Sequence, residues 1–290
     1  MPRVLIAGCG YVGLATAELF HRDGWDVEGW TGLAESAEAL AAQPFPVRAV
    51  DLTARSAVER HASEFEAVIQ SASSRGGGAD AYRKIYLESA QHLRAVFPEA
   101  LHLFTSSTSV YAQSDGEWVT EESPAEPERE TGRVLRATEE FVLEGGGIVA
   151  RLAGIYGPSR SALLRKFLEG TAVIDPNADR FVNQIHRDDL AAGLVLLARK
   201  HLGEPPVNDS RDRRIFNVAD NHPTSLRQCY EWLAQRLERP LPPKQTSVEE
   251  RRRGNSNKRV SSARLQALGW EPRYPTFEIA MNQSILPAKS

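Results

Sequence analysis

The hydrophobic pattern of the chain opens with a short burst. Residues 4–7 are apolar without interruption, too few for a helix and suited to a strand buried on both faces. Comparable strand-like runs recur at 25–31, 47–51, 67–71, 101–106, 148–151 and 215–218. Between them the spacing predicts helices over 14–23, 34–42, 54–61, 80–97, 131–144 and 188–199. In 80–97 the apolar stripe is Tyr82, Ile85, Tyr86, Leu93 and Val96, with Ser89 on the same face. Buried strands alternating with amphipathic helices predict an α/β fold, an open parallel sheet wound on both faces. Residues 152–182 and everything after 219 break the alternation and are rich in Pro and Arg, which suggests a smaller lobe built from separate stretches.

The first strand runs into Gly8-Cys9-Gly10-Tyr11-Val12-Gly13 and then into a helix. Strand, G-x-G-x-x-G turn and helix together form the fingerprint of a doubly wound Rossmann domain that binds a dinucleotide. Gly8 lets the chain turn off the strand, Gly10 lets a pyrophosphate approach the backbone, and Gly13 lets the helix lie close to the sheet. The amides that open the helix, at Tyr11 and Val12, favour phosphate charge. The expected division is therefore a dinucleotide-binding domain of 1–151 and 183–219 and a substrate lobe of 152–182 and 220–290.

Ligands of such sheets lie beyond the carboxyl ends of the strands. The second strand ends at Thr31, neither the acid that grips a ribose 2′-hydroxyl nor an arginine for a 2′-phosphate. A threonine there can still hydrogen-bond a phosphate oxygen, so the expected cofactor is NAD(P) with a lean to NADP. The third strand ends at Asp51-Leu52, which suits either an adenine site or the cap of the next helix. Ala72 and Ser73, after the fourth strand, are small enough to let a cofactor lie close. The fifth ends in Ser106-Ser107-Thr108-Ser109-Val110-Tyr111, a hydroxyl cluster that either polarises a substrate oxygen or satisfies its own turn.

Charge and composition then narrow the partners. A net charge of −3 over 290 residues suggests neither a nucleic-acid nor an anionic-membrane partner. The two cysteines, Cys9 and Cys229, are far apart and make neither a disulfide framework nor a metal cluster; Cys9 reads as a small filler in the glycine turn. No run approaches the length of a membrane span, and the chain starts directly in a core strand. The expectation is a cytoplasmic protein with a small-molecule substrate, assembled as a homodimer.

Four motifs in order give the chain its resemblance to the extended short-chain dehydrogenase/reductases, the nucleotide-sugar epimerase and dehydratase group. They are the glycine turn, Ser106-Ser107-Thr108-Ser109-Val110-Tyr111, Arg151-Leu152-Ala153-Gly154-Ile155-Tyr156-Gly157-Pro158, and Ile185-His186-Arg187-Asp188-Asp189-Leu190-Ala191. Phe216-Asn217-Val218-Ala219-Asp220 matches the last core strand, and Asn257-Lys258-Arg259-Val260 with Leu268-Gly269-Trp270 resembles the tail of an atypical subgroup. The resemblance implies hydride transfer with a nicotinamide cofactor. It puts Ser107 at the catalytic Ser or Thr and lines the cofactor with Ser106 and Ile155.

The chain departs from the group where the proton moves. The family's Y-x-x-x-K falls on Thr131 and Leu135, an alcohol too weak as an acid and a side chain with no charge. Arg133 and Arg136 flank the lysine position and could supply charge only. Thr108 and Ser109 stand where dehydratases carry an Asp and a Glu, so elimination is not supported. The proton would come from Tyr111, Tyr156 or a water. His186 is expected to pack at a domain junction, with Asp188 or Asp189 capping the helix behind it. Arg251-Arg252-Arg253, Lys258 and Arg259 read as a solvated surface or a phosphate grip. Two functions stay open: an NAD(P)-dependent oxidoreductase or epimerase, and a dinucleotide-binding sensor or scaffold that has lost its acid/base pair.

Overall fold

Strands apolar on both faces need cover on both faces, and the fold supplies it. The computed structural model describes residues 1–74, 76–203, 211–245 and 256–289. Its sheet is built from β1 (Arg3–Ala7), β2 (Asp26–Thr31), β3 (Val47–Ala49), β4 (Ala67–Gln70), β5 (Leu101–Ser107), β7 (Ile148–Leu152) and β11 (Ile215–Val218). All seven pair in parallel, in the order β3-β2-β1-β4-β5-β7-β11. The order reverses between β1 and β4, which opens a crevice at their carboxyl ends.

The helices are α1 (Tyr11–Arg22), α2 (Ala34–Glu38), α3 (Arg55–Glu59), α4 (Ala79–Tyr82), α5 (Ser89–Val96), α6 (Glu130–Glu144) and α8 (Arg187–His201). The expected long helix over 80–97 is not uniform. Residues Arg83–Glu88 form a π turn between α4 and α5. Gln70, at the end of β4, donates to the carbonyls of Ile85 (3.3 Å) and Tyr86 (3.0 Å) in that turn. The helices over 34–42 and 54–61 are also shorter than expected, closing at Glu38 and Glu59. No described helix is long and apolar enough to cross a membrane.

The remaining elements are β6 (Trp118–Val119), β8 (Gly154–Tyr156), α7 (Ala162–Leu168), β9 (Phe181–Val182), β10 (Gln184–His186), β12 (Thr224–Ser225), α9 (Leu226–Arg236), β13 (Arg259–Val260), α10 (Ala263–Ala267) and α11 (Phe277–Ala280). Tyr156, Leu164, Phe167, Tyr230, Leu233, Phe277 and Met281 form an apolar cluster apart from the sheet. Residues 220–290 do not all join it. Val260, Leu265 and Trp270 pack into the main core instead, because β13 pairs with β6 and Trp270 Nε1 donates to the Asp189 carbonyl at 3.1 Å.

One buried ion pair binds these layers. Arg151 on β7 is 1 % exposed and Glu139 on α6 is 0 % exposed. Arg151 Nη2 donates to Glu139 Oε2 at 2.7 Å and its Nε to Oε1 at 3.1 Å. Arg151 Nη1 donates to the Tyr111 hydroxyl at 2.8 Å, and that hydroxyl donates to Asn217 Oδ1 on β11 at 2.9 Å. Removing one member strands a buried charge, at a cost of about 3–5 kcal/mol. Arg151→Met should therefore lose about that much in urea denaturation, and the double variant with Glu139→Leu should recover part of it. A single variant as stable as the parent would contradict the assignment.

Candidate functional site

The glycine turn fills the crevice between β1 and β4. Gly8 adopts φ +112°, and a Cβ on it would stand 2.2 Å from the Ala72 amide nitrogen. A Cβ on Gly13 would stand 2.2 Å from the Gly8 carbonyl oxygen and 2.9 Å from Ser71 Oγ. Gly13 thus seats α1 directly on the turn before it. Gly10 is different: a Cβ there would meet nothing within 4 Å. Gly10 is exposed, and the space in front of α1, here called the recess, is open. No side chain caps α1 and no acid lies in its first turn. Among the described residues, the amides of Tyr11, Val12 and Gly13 find no acceptor. A recess backed by unpaired amides at a helix N-terminus fits a diphosphate. Cys9 does serve as filler: it is buried, and its Sγ would stand 2.8 Å from a Cβ on Gly29. Burial pushes its thiol up to about 12.

The other strand ends diverge from expectation in places. Thr31 is 7 % exposed and donates its proton to the Leu33 carbonyl at 3.0 Å. It has no donor left for a 2′-phosphate, so the lean to NADP loses its support. Asp51 caps no helix. Its Oδ1 accepts from the Thr53 amide (2.9 Å) and hydroxyl (2.7 Å) in an Asx turn, and Ala54 stands at the start of α3. Leu52 is buried among core residues. Ala72 is half-buried under Gly8 and Ser73 is exposed. Ile155 lies half-buried on β8, paired with Ile185.

The hydroxyl cluster splits in two. Ser106 is 4 % exposed and donates to Glu139 Oε1, so its hydroxyl serves the buried ion pair and not a cofactor. Tyr111 is 1 % exposed, with its oxygen held by Arg151 and Asn217. Burial raises its pKa, and it cannot reach a substrate. Tyr156 is likewise 3 % exposed, with its hydroxyl buried and its pKa raised by burial and by Asp220. Neither phenol is the proton source that the sequence suggests. Ser107 remains: half-buried at the end of β5, it accepts from the Ser109 amide at 3.2 Å and keeps its own proton to donate.

Thr131 is half-buried on α6 and Leu135 sits in the core. Arg136 is engaged by Glu139 and by Glu140 (3.4 Å), and Arg133 by Glu130 (3.3 Å), so neither is a free charge. A residue not singled out for the site stands nearby. Tyr86, in the π turn, packs edge-on to Phe104 of β5 (6.0 Å), and its hydroxyl lies 3.5 Å from the Ser74 amide beyond β4. The π turn faces α6, where Arg83 reaches Glu130 beside Thr131 at 3.8 Å. The one sequence hint was Gln70, a polar residue ending an apolar strand.

His186 itself caps α8, its Nδ1 accepting from the Asp188 amide at 3.2 Å; Asp188 and Asp189 do not cap. Its Nε2 meets Ser284 Oγ at 3.0 Å and its ring lies 4.1 Å from Tyr274. Asp189 instead accepts from the amides of Arg273 (2.7 Å) and Tyr274 (2.9 Å). Lys258 is 5 % exposed and donates to the Tyr111 carbonyl (2.8 Å) and Ser256 Oγ (3.1 Å). It is a brace rather than a solvated charge, and burial brings it down to about 8. Arg259 lies against Trp118 and Phe181 and donates to the Gly116 carbonyl. Residues Arg251, Arg252 and Arg253 fall outside the described residues. Among the described residues no group of His, Cys, Asp and Glu could hold a metal.

Sheet order, crevice and glycine turn define a Rossmann-type α/β protein. The chain belongs to the NAD dependent epimerase/dehydratase family, whose model matches residues 4–219. It is similar to protein YeeZ of Escherichia coli K12, 28% identical over 292 residues that cover 95% of this chain and 97% of that protein. It shares its fold with UDP-glucose 4-epimerase of Thermus thermophilus, solved with NAD. There the TM-score is 0.80 at 18% identity, over 100% of this chain and 99% of the other. dTDP-glucose 4,6-dehydratase of Bacillus anthracis, also solved with NAD, gives a TM-score of 0.79 at 15% identity, over 99% and 96%.

Two outcomes follow from this geometry. Gly10→Val should fold with an unchanged unfolding temperature and lose dinucleotide binding, whereas Gly13→Val should lose both. Equal binding by Gly10→Val and the parent, in a fluorescence titration with NADH, would contradict the recess. His186 is held near pKa 4, first by burial and then by Arg187 and Arg273, against the pull of Asp188. The unfolded chain binds this proton below about pH 6.5 and the folded one only near 4, so stability falls as pH drops through that window. The linkage is worth roughly 3 kcal/mol at most. His186→Asn should flatten that limb of a stability-against-pH curve; an identical limb would assign it elsewhere.

Proposed function

We propose that this protein binds NAD along the carboxyl edge of its sheet and works as an oxidoreductase or epimerase on a hydroxyl- or carbonyl-bearing small molecule, such as a sugar nucleotide. The observation that carries the reading is the recess at Gly10, walled by the unpaired amides of Tyr11, Val12 and Gly13. Family membership supports it. The engaged proton of Thr31 favours NAD over NADP.

The nicotinamide, when bound, supplies the hydride chemistry. The chain's part is to hold the substrate oxygen and move its proton. Ser107 orients that oxygen: its Oγ accepts from the Ser109 amide and its own proton is left to donate. Tyr86 carries the proton, because Tyr111 and Tyr156 are walled into the core while the Tyr86 hydroxyl stands in the loop beyond β4. Among the described residues no lysine is hydrogen-bonded to this phenol, so it works at a slower rate than the family's Tyr and Lys pair allows.

Thr131 and Leu135 favour a second reading, a dinucleotide-dependent sensor without turnover. Nicotinamide absorbance, followed over a panel of keto compounds and sugar nucleotides, separates the two. The enzyme reading expects turnover that Ser107→Ala and Tyr86→Phe each cut by roughly 10²–10⁴-fold while NADH still binds. Binding with no turnover on any substrate would establish the sensor. Undiminished turnover in Tyr86→Phe would remove that residue from the mechanism.

A further inference from the structure

Tyr11 does more than open α1. Two guanidiniums lie over its ring, that of Arg160 at 5.1 Å and that of Arg187 at 5.0 Å from the centroid. Its hydroxyl donates to the Pro158 carbonyl at 2.9 Å, and a Cβ on Gly157 would stand 2.7 Å from it. The phenol therefore ties the glycine turn to the segment that leads out of β8.

Arg160 is held there by a tight turn. The Gly157 and Arg160 amides each donate to the other's carbonyl at 3.0 Å, and Ser159 at the corner takes φ +61°. That is a left-handed conformation which a non-glycine residue adopts only when its surroundings impose it. Arg187 is the first residue of α8 and donates to Asp188 Oδ1 at 2.8 Å. Arg160 is exposed, and among the described residues no carboxylate pairs with it. Two guanidiniums and one carboxylate thus gather around the side chain of the first residue of α1. The sum is net positive charge around the Tyr11 side chain, at the residue that follows Gly10 and opens α1.

We propose that Arg160 and Arg187, held against Tyr11, form a clamp over the first turn of α1 that takes a dinucleotide's diphosphate between their guanidiniums and the amides of Tyr11 and Val12. The clamp rests on the NAD reading and extends it. The segment after β8 closes on the cofactor through the phosphates, so the cofactor fastens that segment to the dinucleotide-binding sheet. Arginine suits the task because its planar fork matches phosphate oxygens two at a time.

Arg160 is exposed, so its replacement does not threaten the fold, and equal unfolding temperatures will check this. Titration calorimetry with ADP-ribose and with UDP, on the parent, Arg160→Ala and Arg160→Lys, tests the clamp. Arg160→Ala should weaken ADP-ribose by about tenfold or more, with Arg160→Lys in between. The slope of log affinity against log salt should fall in the alanine variant. Equal ADP-ribose affinity in parent and Arg160→Ala would overturn the clamp and leave the NAD reading standing. A loss confined to UDP would overturn it too, assigning Arg160 to a substrate's phosphates. A parent that binds no ADP-ribose would overturn both.

Discussion

The buried contact between Arg151 and Glu139 governs how the rest of the carboxyl edge can be used. With both groups out of water, every hydrogen-bonding site on them needs a partner, and the neighbourhood supplies them. Ser106, Arg136, Tyr111 and, through Tyr111, Asn217 are all drawn in. The price is chemical: the Ser106 hydroxyl and the Tyr111 phenol, both close in sequence to Ser107, are removed from the site. A satisfied network of this kind holds β5, β7, β11 and α6 in one register. It leaves Ser107, half-buried at the end of β5, outside the network.

Legibility in the sequence followed the range of the physics. Strands buried on both faces announce themselves locally, so the parallel sheet could be read from its apolar runs. The three glycines were legible for the same reason, since the constraints on them arise within the turn itself and from the adjacent strand end. The roles of Ser106 and Tyr111 were not. Their partners, Glu139 and Asn217, lie 33 and 106 residues away, and no local pattern records them. The π turn at Tyr86 was hidden because an amphipathic stripe looks much the same with one residue inserted. Asp189 was misread as a cap because an acid at a helix start usually is one. Here the chain at Arg273 and Tyr274 claims its carboxylate, and the His186 ring takes over the cap.

These departures share a direction. The features on which the proposed NAD site rests are all present: the tight turn, the open space at Gly10 and the unpaired amides. Thr131 and Leu135 stand where the resemblance puts its Tyr and Lys, on a helix that packs against the sheet. Cations around the edge have been redeployed as braces. Lys258 secures the chain at Tyr111 and Arg259 lies between aromatic rings, while Arg160 and Arg187 stand over Tyr11. A cradle without the Tyr and Lys pair fits the slower hydride chemistry proposed for Ser107 and Tyr86.

The measurement that bears most directly on this account is a quantitative titration of the purified protein with NADH, followed by quenching of its tryptophan fluorescence. The cradle at Gly10 predicts saturable one-to-one binding with a dissociation constant below about millimolar. Absence of binding by NADH and by NADPH up to that concentration would contradict it, and both the enzyme and the sensor would fall together.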